Sequence, residues 1–166
     1  MSTALEKENG MQIRNCKESD IPAIRHFISL CKPLGVHTGY TYWVLFHYFS
    51  ATCFLLEEDG EMTGYLSGMR SNTFEDVFFV WQIGVAEDCR GKGYSNLLLQ
   101  KAAEAARRLK CRTMQFTIEP ENSKAYNAFS GFAKRNNLKM STLGKAKYPH
   151  STRETIGHDT IYEVIL

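Results

Sequence analysis

Apolar positions along the chain fall into two rhythms, one of period two and one near 3.6, and they predict an alternation of strands and helices. Met11 to Arg14 reads as a short strand. Ser19 and Asp20 offer a helix cap ahead of Ile21, Ile24, Phe27 and Ile28, and Pro22 is tolerated in the first turn. Lys32 to Gly39 carries Pro33, Gly35 and Gly39 and predicts a loop, after which the aromatic segment Tyr40 to Phe49 predicts a helix. Cys53 to Glu57 and Met62 to Met69 predict strands joined by a tight turn at Asp59-Gly60. Phe78 to Val85 is almost continuously apolar, the pattern of a central strand buried on both faces. A helix is predicted to open at Gly91 and run through Leu97, Leu98, Ala102, Ala105 and Leu109. Thr113 to Ile118 follows as a fifth strand and completes a βαβ unit. Asn122 to Asn137 reads as a helix with Ala125, Phe129 and Phe132 on one stripe, and Ile161 to Leu166 as a terminal strand.

A chain of 166 residues fits one domain. Apolar residues make up 43% and charged residues 23%, which excludes a mainly disordered chain. Met1 to Gly10 is polar with little to bury, so residues 1–10 are expected to be a disordered leader and residues 11–166 the folded domain. Net charge is +2, and the Lys and Arg residues are scattered. The densest basic stretch, Lys101 to Arg112, alternates with Ala and Leu as a solvated helix face does. Nothing points to nucleic acid. The five cysteines are widely spaced with no CxxC pair, so neither a disulfide framework nor a metal site is expected. The N-terminal residues lack the apolar core of a signal peptide, and no apolar run approaches the ~18 residues of a membrane span. No membrane partner is expected, and the cytosol is the default location.

The segment that carries chemistry is Arg90-Gly91-Lys92-Gly93-Tyr94-Ser95, between a buried strand and a helix. Glycines let backbone approach an anion closely, and the free N–H groups of a first helical turn aim at a phosphate along the helix dipole. Without its setting, Gly-x-Gly is only a tight turn. A dinucleotide fold would show GxGxxG near the N-terminus, and a P-loop GxxxxGK followed by Ser or Thr. Neither pattern is present.

Arg-Gly-x-Gly-x-Ser, five residues after a strand that ends at Val85, resembles the acetyl-CoA signature of the GNAT superfamily of N-acetyltransferases, and the order of predicted elements from Met11 to Leu166 agrees with that family. The resemblance implies a single α/β domain with a mixed, mostly antiparallel sheet of about six or seven strands, two splayed central strands and helices on both faces. It implies acetyl-CoA as co-substrate, its pyrophosphate on the turn Arg90, Gly91, Lys92, Gly93, Tyr94 and Ser95. Backbone groups of Ile83 and Val85 would bond the pantetheine arm, and Asn122 would contact the cofactor. The N–H of Ile83 would polarise the thioester carbonyl.

Within that superfamily the chain resembles the L-2,4-diaminobutyrate acetyltransferases of ectoine biosynthesis. The blocks that carry this are Pro33-Leu34 with Tyr40-x-Tyr42, Thr52-Cys53, Phe79-Val80-Trp81-Gln82, Glu119-Pro120-Glu121-Asn122, and Ile161-Tyr162 behind Asp159. The implied acceptor is a small diamino acid, and similar enzymes are often homodimers. The chain departs from the pattern at Leu34-Gly35-Val36-His37, where Leu-Asp-x-Asn is usual, and at Asp159, where Glu is usual. Leu34, Gly35, His37, Tyr40, Tyr42, Trp81, Gln82 and Asp159 are therefore the candidate acceptor-binding residues. Arg70 is a weaker candidate for the acceptor carboxylate, with Glu75 a further candidate acid.

Attack needs a neutral amine, and an alkyl ammonium titrates near ~10, so the site must take a proton directly or through water. Glu119, Asp159 and His37 are the candidate bases. The position where these enzymes often carry a proton-donating Tyr is Phe129, and Tyr126, one helical turn earlier, is the candidate substitute. Two other readings stay open. One is the same chemistry on a different diamino acid or amine intermediate, and the other a non-catalytic acyl-CoA-binding module.

Overall fold

A computed structural model describes residues 10–149 and 156–166. The expected leader, apart from Gly10, lies outside the described residues.

Among the described residues, seven strands form one sheet in the order β1-β2-β3-β4-β5-β7-β6. They are β1 (Met11–Asn15), β2 (Cys53–Glu58), β3 (Glu61–Arg70), β4 (Val77–Val85), β5 (Thr113–Ile118), β6 (Met140–Pro149) and β7 (Ile156–Ile165). Only β4 and β5 pair in parallel; every other neighbour pair is antiparallel. The helices are α1 (Ile21–Leu30), α2 (Gly39–Tyr48), α3 (Tyr94–Arg108) and α4 (Ser123–Arg135). They cover both faces. On one, Ile24, Phe27 and Ile28 of α1 and Tyr42, Leu45 and Phe46 of α2 pack on Leu55 and Tyr65. On the other, Leu98, Leu99 and Ala102 of α3 and Phe129 and Phe132 of α4 pack on Leu66, Phe78 and Phe116.

The β2–β3 hairpin turns at Asp59-Gly60, both at positive φ (51° and 86°), as the short turn requires. Four expectations are corrected. Asp20 does not cap α1 with its side chain; it closes a preceding turn by accepting from the Lys17 N–H and pairing with Arg14 at 2.7 Å. Burial pulls its carboxyl up, but the bonds from Arg14 and Lys17 outweigh that and hold it below its ordinary value.

The helix after the glycine turn begins at Tyr94 rather than Gly91. A further strand, β6, whose apolar residues Met140, Leu143, Ala146 and Tyr148 keep no steady period of two, was not expected, and β7, its antiparallel partner, begins before Ile161. Finally, β4 is not buried throughout. The register with β3 jumps from Ser67–Gln82 to Gly68–Val80, so Trp81 is an extra, bulged residue and stays 39% exposed. The bulge also reverses the faces beyond it. Val80 packs on the α3 side, whereas Gln82, two residues on, bonds Tyr42 on the α2 side.

Candidate functional site: a cleft between two splayed strands

β4 and β5 stay together for three residue pairs, Val77 with Thr113, Phe78 with Met114 and Phe79 with Gln115, and then diverge. From Val80 onward one edge of β4 is left without a strand partner. The Ala86 N–H donates to the Thr63 carbonyl at 2.9 Å, so that peptide turns the Val85 carbonyl away from β3. By the period of two, the Val85 N–H and both polar groups of Ile83 face the gap as well. Backbone polar groups at the centre of a sheet need partners, and here they face a cleft of about 500 Å³.

One end of the cleft is the glycine turn. Gly91 and Gly93 have φ of 81° and 86°, a region side chains with a Cβ enter only under strain. Gly93 is the N-cap of α3 and has no side chain to satisfy the first-turn N–H groups, which remain free at the positive end of the helix dipole. A helix start of this kind is suited to an anion. Tyr94 contributes backbone here. Its phenol is pushed up to about 12 by a hydrogen bond to the Glu58 carboxylate, with burial adding to the effect. Lys92 also leans toward Glu58, at 3.9 Å, and is absent from the cleft lining.

The cations Lys32, Arg90, Lys124 and Arg135 line the cleft, and no carboxylate does so among the described residues. An elongated anionic molecule with an apolar middle fits this charge pattern. The middle is lined by Val80, Ile83, Phe116 and Phe129, the last two stacked with centroids 3.5 Å apart. Cys31 also reaches the lining. Burial pushes its thiol up, with Arg90 partly offsetting, so it stays protonated at neutral pH and is no nucleophile.

Of the residues expected at the site, Leu34, Trp81, Ile83, Val85, Arg90, Gly91, Gly93, Tyr94, Ser95 and Asn122 line this cleft. Asn122 caps α4, its side-chain oxygen accepting from the Ala125 N–H at 3.1 Å. Gly35, His37, Tyr42 and Gln82 are not part of the lining but connect to residues that are. The His37 ring lies 4.9 Å from Trp81, Tyr42 donates to Gln82 Oε1 at 3.3 Å, and Gln82 donates to the Gly35 carbonyl at 2.9 Å.

Tyr40 does not share the lining. It is 72% exposed and stacks on Trp43. Tyr126 is likewise outside, edge-on to Tyr162 at 5.6 Å. Glu119 follows β5, and Asp159 lies on β7 next to the last β5–β7 pair, Ile118 with Thr160. Both act on Tyr148, whose phenol is pushed up by burial, then by Asp159 and Glu119. Arg70 ends β3 and Glu75 lies in the β3–β4 connection, where Arg70 Nε donates to the Glu75 carbonyl at 3.0 Å; neither lines the cleft.

Thr117, Lys124, Asn127 and Arg135 line the cleft and were not foreseen. Three of them lie on one stripe of α4, and that helical spacing of polar residues was the available signal.

The GNAT acetyltransferase family model matches residues 21–132. An L-2,4-diaminobutyric acid acetyltransferase of Chromohalobacter salexigens is 32% identical over 124 residues, 74% of this chain; the chain spans 65% of that relative's length. The diaminobutyrate acetyltransferase of Paenibacillus lautus, solved with L-2,4-diaminobutyric acid and coenzyme A, superposes with a TM-score of 0.80 at 24% identity over 95% of each chain. The ribosomal-protein-S18-alanine N-acetyltransferase of Escherichia coli gives 0.72 at 15% identity, covering 93% of this chain and 94% of that one. At these identities the two structures speak to the fold. Among the described residues, no helix is long and apolar enough to cross a membrane.

Proposed function

Since the chain belongs to the GNAT acetyltransferase family, we propose that it transfers the acetyl group of acetyl-CoA to an amine of L-2,4-diaminobutyrate. The observation that carries this is the open edge of β4 between an anion-binding helix start and an apolar, acid-free wall. The diphosphate of CoA binds the N–H groups around Gly93 to Ser95. The pantetheine arm takes the place of the missing strand and bonds Ile83 and Val85, as an added strand does. The diaminobutyrate relatives support the acceptor.

The amine nitrogen attacks the thioester carbonyl carbon. A C–N bond forms, the C–S bond breaks, and the negative charge that builds on the carbonyl oxygen is met by the Ile83 N–H. Glu119 and Asp159 take two protons, one from the ammonium before attack and one from the nitrogen once the C–N bond has formed, through water where they do not reach it directly. The cleft wall opposite offers Phe129, which has no proton to give. The sulfur therefore leaves as thiolate, a fairly stable anion. The five free cysteines, all buried, support a cytosolic setting. A homodimer belongs to the same reading, and its solution mass tests it.

One departure favours a second reading, in which the acceptor is another diamino acid: Gly35 stands where a carboxylate is usual in the enzymes this chain resembles. Nothing lies within 4 Å of a Cβ added at Gly35, so Gly35→Asp is sterically free. Thiol release with a panel of diamino acids separates the two. Diaminobutyrate is expected to give the highest kcat/KM, and Gly35→Asp to lower its KM by about fivefold or more through a charge-assisted bond to an ammonium. No release with diaminobutyrate beside good release with another diamino acid would establish the second reading. Binding of acetyl-CoA without transfer to any amine would leave a binding module.

A further inference from the structure

Gln82 is one of few buried polar side chains among the described residues, 6% exposed, and Tyr42 is fully buried. Burying an amide and a phenol in a core is costly unless both are bonded, and apolar residues of the same size would avoid the cost. Here the two bond each other and one short segment. Gln82 Nε2 donates to the Gly35 carbonyl at 2.9 Å, Gln82 Oε1 accepts from the Tyr42 hydroxyl at 3.3 Å, and the Tyr42 ring lies beside that of His37, centroids 6.0 Å apart. The pair thus meets both ends of Gly35-Val36-His37, by a hydrogen bond at Gly35 and by ring contact at His37. Arg25 Nε adds a bond to the His37 carbonyl at 3.2 Å. The gripped turn continues directly from Leu34, which lines the cleft, and its His37 ring lies against Trp81, which lines it too. The β4 bulge sets this up, placing Trp81 at the wall and Gln82 on the opposite face behind it.

We propose that Tyr42 and Gln82 are a positioning pair, a buried relay that holds the Gly35-to-His37 turn in register and so sets the Leu34–Trp81 wall against which the acceptor amine binds. Neither touches the acceptor. They act through the turn and through the His37–Trp81 contact, and that the wall faces the acceptor rests on the function proposed above.

Tyr42→Phe removes one hydroxyl from an otherwise unchanged ring, and Gln82→Glu keeps the acceptor for Tyr42 while its ionised form loses the donor to Gly35. For each, the KM of the best acceptor of the diamino acid panel is expected to rise about five- to tenfold, with the KM of acetyl-CoA unchanged. A general loss of packing would not split the two constants in this way. In Gln82→Glu the acceptor KM is expected to recover at low pH, where the protonated carboxyl regains a donor. The second readout needs no acceptor: the His37 ring-proton NMR shifts, displaced by Trp81 in the wild type, are expected to move in Tyr42→Phe toward those of exposed His26. If those shifts move while no amine is acetylated, the proposed function falls and the relay stands. His37 shifts that stay at wild-type values, or an unchanged acceptor KM in both variants, overturn the relay.

Discussion

Replacing Ile83 with proline is expected to lower kcat by about a hundred- to a thousandfold, the loss that follows removal of one preorganised oxyanion donor. Proline deletes one N–H and fixes φ. Because the Ile83 N–H faces the gap rather than β3, no ladder bond is lost and the thermal midpoint should fall only modestly. Gly84→Pro is the contrasting variant. Gly84 stands opposite Tyr65 with its polar groups toward β3, so proline there cuts the sheet and should destabilise the fold outright. Measured together, kcat and melting temperature separate a catalytic N–H from a structural one. Equal destabilisation by the two prolines would mean that the Ile83 N–H belongs to the ladder.

Gly93→Val is expected to weaken CoA binding on the order of a hundredfold, read by calorimetry as the dissociation constant. A β-branched residue at φ 86° either strains the turn or rebuilds it. In the first case it costs stability, and in the second it scatters the N–H groups that converge at the start of α3. The acceptor constants should change far less, since the proposed acceptor wall is made by Leu34 and Trp81. Restoring binding by Gly93→Asn would fit this account, because asparagine tolerates the left-handed region better than valine.

The parts of this molecule with a local cause could be read from its residues. Asp59-Gly60 marks its hairpin because only such residues take two consecutive positive φ values easily. Gly91 and Gly93 mark the anion turn for the same reason, and Asn122 marks the start of α4. What escaped depends on partners distant in the chain. β6 spaces its apolar residues, Met140, Leu143, Ala146 and Tyr148, without a steady period of two and is held as a strand mainly by pairing with β7. The bulge at Trp81 comes from the register between β3 and β4, and without it Gln82 would be assigned to the wrong face. Tyr40 and Tyr42 looked equivalent flanking the loop, yet their spacing of two, about half a helix turn, sends Tyr42 into the core and leaves Tyr40 in water. Lys124, Asn127 and Arg135 carry no motif, and only the splay of β5 from β4 makes their stripe a wall.

The central claim is that the unpartnered edge of β4 is where the acyl donor lies. Hydrogen exchange at single-amide resolution, with and without acetyl-CoA, tests it most directly. The account predicts that the Ile83 and Val85 amides exchange readily in the free protein and become strongly protected on binding, together with the amides of the first turn of α3. Gln82 and Gly84, already turned toward β3, should change little. Binding that leaves Ile83 and Val85 unprotected would contradict the account.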